Sequence, residues 1–284
     1  MTAAVKKKTA QKLPSGILGA LLIILCTLVV LFPFYWMVVT SFKGESEIFR
    51  TPPTYIPEVF TTENYLYALT KTKIPVFFLN SIFYAVGTLV VVLVCASLAA
   101  YSISRFRFKG KKAYLVVVLL SQLMPLTTLI VPLYVSFGQM HLLNNRFALI
   151  AVYAAIQIPI ALWLLIGYFG SIPREIDEAA RIDGCTNLKT LFRIVIPLAK
   201  PGLMAVSLSV VISIWQELML AMTFTSTDSM RPLMAGVSAA ITKSGVKWGQ
   251  INATGMIACV PVVIIFIFCQ RYLIQGLTGG AVKG

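Results

Sequence analysis

The chain has little charge and few of the groups that polar chemistry uses. Only 12% of its 284 residues are charged, whereas soluble domains average about 25%. It has one histidine, no G-x-x-x-x-G-K-[ST] phosphate-binding loop and no C-x-x-C pair among its five cysteines. The lack of a C-x-x-C pair argues against a cysteine metal site. The lack of a phosphate-binding loop excludes ATP hydrolysis by that route, so energy from ATP must come from another subunit.

Long stretches without charge are what the chain has instead. Several exceed the roughly 20 residues that cross a bilayer as a helix. Between Lys200 and Asp228 the only charged residue is Glu217. The sequence therefore predicts an all-α membrane protein with six transmembrane helices, placed at about 17–41, 78–104, 114–137, 148–170, 202–226 and 251–274.

The distribution of basic residues predicts an orientation. With six spans both termini lie on one side, and 16 of the 24 lysines and arginines fall on that side. Because cytoplasmic loops carry the excess of basic residues, we expect both termini and the 105–112 loop in the cytoplasm. Much of the net charge of +14 follows from this topology, so no nucleic-acid partner is expected.

A charged segment follows the fourth predicted span. Pro173 suits the first position of a helix. Acidic residues follow in or near the first turn, where the helix dipole favours negative charge. Gly184 suits a left-handed helix stop. A second apolar repeat predicts another helix that Pro197 ends. The repeat consists of Leu188, Leu191, Phe192 and Val195.

The first of these two helices has the character of a docking element. Ile176, Ala179 and Ala180 form a small apolar face, and the short alanines let another surface approach closely. Glu178 and Arg181 supply charges around it, together with Asp183. The alternative is an amphipathic helix on the bilayer surface, although such helices favour a basic polar face and large apolar residues.

The segment from Glu178-Ala-Ala through Gly184 to Ile194-Val-Ile-Pro197 resembles the EAA loop of bacterial ABC importer permeases. In that family the loop, here 171–201, is the coupling helix that enters a cleft of a cytoplasmic ATPase. The resemblance implies that the ATPase-coupling residues are Glu178, Ala179, Ala180, Arg181, Asp183 and Gly184.

Three further segments resemble permeases of carbohydrate ABC importers of the maltose-transporter type. They are Pro33-Phe-Tyr-Trp36, Trp215-Gln-Glu217 and the tail Gly276–Gly284. The resemblance implies a type I importer permease fold in a bacterial cell membrane and transport of a sugar, such as a di- or oligosaccharide. A sugar-related solute such as a glycerol phosphate remains the alternative.

The same resemblance implies the partners. They are a second homologous permease, two ATPase subunits that bind ATP and Mg²⁺, and an extracytoplasmic sugar-binding protein. This chain itself binds no cofactor or metal in this reading. Its predicted organisation is a basic cytoplasmic arm at 1–16, a six-helix domain at 17–275 and a cytoplasmic tail at 276–284.

Some polar positions have two readings. Glu217 and the amides Gln122, Gln157 and Gln216 either line a translocation path or are buried polar groups that tie helices together. In the tail, Gly279 and Gly280 favour backbone freedom, and we expect residues 276–284 to contact the ATPase. The alternative is a frayed chain end.

The other class of function is an ion-coupled secondary transporter. Such proteins use binding sites near the membrane midplane, formed by broken helices of repeated halves. We would also expect several intramembrane carboxylates. The chain has one intramembrane acid and a large charged loop, which favours the importer permease.

Overall fold

The computed structural model describes residues 13–244 and 246–281, and every regular element within these ranges is helical. This confirms the prediction of an all-α protein. In chain order the α-helices are α1 (Leu13–Ser41), α2 (Glu45–Ile48), α3 (Glu63–Thr70), α4 (Ile74–Arg105), α5 (Lys111–Gln122), α6 (Leu126–Gln139), α7 (Arg146–Ser171), α8 (Arg174–Ile182), α9 (Asn187–Thr190), α10 (Ile196–Leu198), α11 (Lys200–Trp215), α12 (Met219–Phe224), α13 (Leu233–Ser244) and α14 (Trp248–Ala281).

Four of these helices, α1, α4, α7 and α14, are long and apolar enough to cross a membrane. Two further pairs of consecutive helices are apolar enough but sharply bent, which gives up to six spans if each pair counts as one. The third predicted span, 114–137, is one such pair. α5 and α6 meet there at 94°, so the prediction of a single helix is wrong. Pro125 explains the break, because proline lacks an N–H and disfavours helical backbone in the residue before it.

The fifth predicted span, 202–226, is also not continuous. It begins as α11, is interrupted at residues 216–218 and resumes as the short α12. Before α11 the chain turns by 82° after Leu198. The expectation that Pro197 ends the preceding helix is wrong, because Pro197 lies inside α10. A π-helical turn, Leu191–Val195, directly precedes α10. Pro197 lies in the first turn of α10, where a proline is tolerated because the N–H that it lacks would have no helical partner.

The chain forms two compact units. The larger one comprises Tyr67–Val246 and Ile257–Gly284. Its core is formed by α4, α7 and α11, where Val92, Leu165 and Val206 are fully buried. Gly202 lets α11 approach α7, since a Cβ at this position would lie 2.3 Å from the Tyr168 ring.

The smaller unit comprises Met1–Leu66 and Lys247–Met256. The apolar side chains of α1 between Leu18 and Phe34 are exposed in the isolated chain. Beyond α1, the buried Lys43 donates a hydrogen bond to the Thr54 carbonyl. Glu47 accepts hydrogen bonds from the Thr54 hydroxyl at 2.7 Å and from the backbone N–H of Glu58 at 3.0 Å.

The terminal predictions change in extent. The first helix begins at Leu13, earlier than residue 17, and the basic arm at residues 1–12 lies outside the described residues. The last helix continues past 274 to Ala281, so Gly279 and Gly280 belong to α14 rather than to a separate tail. The final three residues, 282–284, also lie outside the described part of the chain.

Candidate functional site

The charged segment folds as a helix with a defined start and stop. α8 begins directly after Pro173. At its end the backbone N–H of Cys185 donates to the Ala180 carbonyl at 2.9 Å, and the N–H of Gly184 donates to the Arg181 carbonyl at 3.0 Å. Gly184 has a φ of +76°, which a residue with a Cβ adopts only with strain. This is a Schellman motif and confirms the predicted left-handed stop.

The two faces of α8 differ from the sequence prediction in one respect. Ala180 is only 3% exposed and packs within this chain, whereas Ala179 is exposed. The idea that both alanines present one open surface is therefore wrong, because adjacent residues of a helix point in different directions. The exposed candidates are Glu178, Ala179, Arg181, Asp183 and Gly184.

The second half of the loop divides in the same way. Of the predicted apolar repeat, Leu191 and Val195 are buried, while Leu188 and Phe192 are exposed. Ile182 at the end of α8 is 88% exposed. Exposed apolar side chains beside charged ones are typical of a surface that contacts another protein.

The buried face of α8 is attached to the end of α4. The Asp177 carboxylate lies 2.9 Å from Nε of Arg105, and the two side chains are only 5% and 4% exposed. The other carboxylate oxygen accepts a hydrogen bond from the Tyr101 hydroxyl at 3.0 Å. This pair was not predicted, because Arg105 has a local explanation as one of the basic residues of the 105–112 loop. The acid–base pair is separated by 72 positions, so no local spacing reveals it.

Glu217 lies in the interruption between α11 and α12 and is held by three hydrogen bonds. Its carboxylate accepts from the Tyr153 hydroxyl at 2.8 Å. It also accepts from the backbone N–H groups of Leu220 at 2.8 Å and Ala221 at 3.0 Å, which are in the first turn of α12. The arrangement favours the structural reading of this acid, because helix-start N–H groups need acceptors.

The three amides proposed beside Glu217 have different environments. Gln157 is buried in α7, whereas Gln122 and Gln216 are exposed in the isolated chain. Both exposed glutamines lie where a predicted span is broken, at the end of α5 and directly after α11. A role for these residues in a translocation path stays a prediction.

The loop between α12 and α13 is held against α4 and α7. The Asn80 amide donates to the carbonyls of Ser229 at 2.8 Å and Arg231 at 3.0 Å. The Tyr84 hydroxyl donates to the Met230 carbonyl at 2.8 Å. Arg146 donates to the Ser229 carbonyl at 3.1 Å. These contacts join residues far apart in the chain, so no local pattern in the sequence indicates them.

Residues 92–279 match the family described as binding-protein-dependent transport system inner membrane component. The chain belongs to this family of inner-membrane transport permeases. The match begins within α4 and includes α8, Glu217 and most of α14.

Named relatives align over nearly the whole chain. The trehalose/maltose transport system permease protein of Thermococcus litoralis is 35% identical, with 94% of this chain and 96% of the relative covered. The sulfoquinovosyl glycerol transport system permease protein of Agrobacterium fabrum is 34% identical, with 89% of each covered. The diacetylchitobiose uptake system permease protein DasC of Streptomyces coelicolor is 31% identical, with 89% and 92% covered.

A solved structure confirms the fold. A chain of a bacterial ABC transporter involved in the import of the acidic polysaccharide alginate superposes with a TM-score of 0.83. The two chains are 24% identical, and the match covers 91% of this chain and 96% of the other. The protein therefore has the type I ABC importer permease fold expected from its sequence.

Proposed function

We propose that this chain is a permease subunit of an ATP-driven importer that moves a di- or oligosaccharide into the cell. The observation that carries the proposal is α8, a short helix stopped by Gly184 that exposes Glu178 and Ala179 while its other face is fixed to α4. Relatives named for trehalose/maltose and diacetylchitobiose transport support a sugar as the substrate.

ATP and Mg²⁺ bind to partner ATPase subunits in this proposal, and this chain binds neither. The chain contributes part of the translocation path and the surface on which the ATPase acts. Ala179 allows close approach at the centre of that surface. Glu178 and Arg181 offer charges of both signs beside it, which favours one docking orientation over others.

The complete importer contains a second homologous permease, two ATPase subunits and an extracytoplasmic sugar-binding protein. Both termini and α8 face the cytoplasm. In a cysteine-free background, an impermeant thiol reagent added from outside is expected to label a cysteine at Thr62 and not one at Lys109. The reverse pattern would contradict this orientation.

The function is tested with the complete importer in liposomes that contain ATP inside and binding protein outside. Uptake of radiolabelled trehalose, maltose and diacetylchitobiose is measured, with glycerol 3-phosphate as the competing class of solute. ATP-dependent accumulation of one of the sugars is the expected result. Accumulation driven by a proton or sodium gradient without ATP would contradict the proposal.

Gly184→Pro provides a test of the coupling loop in the same assay. Proline fixes φ near −65° and removes the N–H that Gly184 donates to Arg181, so the Schellman motif is lost. We expect the subunit to insert and pair with the second permease but to import no sugar. Gly167→Ala in α7 is the matched control, because nothing lies within 4 Å of a Cβ at that position. Wild-type uptake by Gly184→Pro would show that the loop is not the coupling element.

A further inference from the structure

The residues that hold α8 and the residues that hold the loop after α12 lie on the same helix. Tyr101 and Arg105 at one end of α4 contact Asp177 of α8. Asn80 and Tyr84 near the other end hold the backbone at positions 229–231. With a rise of 1.5 Å per residue, the helix from Asn80 to Arg105 spans roughly 38 Å.

The helix that connects these two sets is continuous. Internal prolines occur in the other three long helices of the described chain, at Pro33, Pro159 and Pro261. In α4 the only proline is Pro75, in the first turn, where it breaks no hydrogen bond. Sharp helix kinks arise mainly at internal prolines, so α4 is the long helix best suited to move as one body.

The attachment at the α8 end is strong and specific. Besides its ion pair with Asp177, Arg105 donates through Nη1 to the Ile172 carbonyl at 3.1 Å, just before α8 begins. Arg174 in turn donates to the Ser104 carbonyl at 3.2 Å. Moving α8 away from α4 would separate the two charges and break both of these backbone hydrogen bonds, which is unfavourable.

We propose that Arg105 and Asp177 are positioning residues that transmit movement of α8 to α4, and through α4 to the loop at residues 227–232. The inference rests on the proposed function, in which an ATPase moves α8. It adds two buried residues to the coupling machinery, neither of which contacts the ATPase or the sugar. The ion pair makes the end of α4 follow α8, and Asn80 and Tyr84 make the loop follow α4.

The primary test measures sugar imported per ATP hydrolysed by the complete importer in liposomes. Asp177→Asn removes the counter-charge of Arg105. We expect import per ATP to fall about tenfold, in line with coupling effects of residues that touch neither ligand, while ATP hydrolysis continues. Arg105→Lys keeps the positive charge and is expected to retain part of the coupling. Ser102→Ala, at an exposed position of α4 whose hydroxyl donates to the Leu98 carbonyl of the same helix, is the matched control and should behave as wild type.

A double variant separates positioning from stability. Arg105→Met with Asp177→Leu removes both charges and leaves none unpaired, a replacement that buried pairs often tolerate. Co-purification with the ATPase and the second permease shows whether the importer assembles. We expect normal assembly with import per ATP still reduced about tenfold. Wild-type coupling in this double variant would overturn the proposal, because the ion pair would then serve folding alone.

A second measurement follows the far end of α4 directly. A cysteine at the exposed position Ser226, in a cysteine-free background, reports access to the loop through its rate of thiol labelling. In the wild type we expect this rate to differ between ATP-bound and nucleotide-free importer, and in Asp177→Asn we expect the difference to disappear. A retained difference would overturn the inference, whereas a wild-type importer that takes up no sugar with ATP would instead contradict the proposed function.

Discussion

The two ends of α4 hold their neighbouring segments by different chemistry. At the α8 end the contact joins two charged side chains, Arg105 and Asp177, both almost fully buried. At the other end Asn80 and Tyr84 donate to backbone carbonyls of the loop at residues 229–231. The first arrangement requires a particular residue on both elements. The second requires it only on α4, because every residue has a carbonyl group.

This difference teaches what each end tolerates. Removing one partner of a buried ion pair typically costs about 3–5 kcal/mol, whereas a single neutral hydrogen bond contributes about 1 kcal/mol. The carbonyls at residues 229–231 remain available to Asn80 and Tyr84 when the side chains at these three positions change.

The largest effect is expected from the buried face of α8. Ala180→Trp places a large ring where Ala180 is 3% exposed, and we expect destabilisation above about 3 kcal/mol through overpacking. Ala179→Trp, on the exposed face of the same helix, should leave the fold intact but block ATPase docking. Thermal unfolding in detergent and sugar uptake measured together separate the two variants. Equal stability of both would contradict the division of α8 into a buried and an exposed face.

A second prediction concerns Glu217. Asn80 and Tyr84 donate hydrogen bonds to backbone carbonyls, whereas the Glu217 side chain accepts hydrogen bonds from backbone N–H groups. Glu217→Gln replaces one acceptor oxygen with a donor amide. The amide then opposes either the Leu220 N–H at Oε1 or the Ala221 N–H and the Tyr153 hydroxyl at Oε2. We expect a loss of about 1–3 kcal/mol in the free energy of unfolding.

Tyr153→Phe is the milder comparison for Glu217, because it removes one of the three hydrogen bonds and should cost about 1 kcal/mol. Both are measured by thermal unfolding of the purified subunit, with uptake assayed in parallel. If Glu217→Gln abolished uptake at unchanged stability, the acid would act in the translocation path rather than in holding α12.

Much of the fold follows from the sequence because apolar length and charge placement act locally. The positions of α1, α4, α7 and α14 were predictable in this way, and so was the left-handed stop at Gly184. The break between α5 and α6 had a local signal in Pro125 that the charge-free interval concealed. Span prediction from charge alone therefore overestimates helix continuity.

The attachments of the candidate site were not predictable, for a different reason. Asp177 and Arg105 are adjacent only because α4 and α8 meet in three dimensions, and each had a sufficient local explanation as a helix-start acid and a cytoplasmic base. The role of Asn80 was not predicted from its position in an apolar helix. Its amide is buried, and buried amides form hydrogen bonds. The exposure of Ala179 but not Ala180 depends on which face packs, and the sequence pattern placed both on one face.

A third prediction tests the backbone attachment of the loop. Asn80→Ala removes the donor to two carbonyls, and we expect destabilisation of about 1–2 kcal/mol together with faster proteolysis in the loop. Ser229→Ala keeps the carbonyl that Asn80 and Arg146 contact, so it should change neither property. A loss on Ser229→Ala as large as that on Asn80→Ala would mean that the loop side chains, not its backbone, fix its position.

The smallest effect is expected in the smaller unit, where the half-buried Glu47 organises the segment after α1. The backbone N–H of Glu58 and the Thr54 hydroxyl donate to Glu47, and these bonds hold the pKa of its carboxyl below the ordinary value of 4.5. Because the pKa is lowered in the folded state, the stabilising contribution is complete above pH 4.5 and is lost as the pH falls through the lowered value. Acidification should therefore loosen this segment only at low pH.

A spin label on a cysteine at the exposed position Ile56 reports this loosening by electron paramagnetic resonance. In the wild type we expect low mobility at neutral pH and higher mobility once Glu47 is protonated. Glu47→Gln should be mobile at every pH, because the amide oxygen is a weaker acceptor than a carboxylate. Glu45→Gln, on the exposed side of the same short helix, should match the wild type. A transition that persists in Glu47→Gln would assign the pH dependence to another group. It would contradict the proposal that the Glu47 carboxylate holds this segment in place.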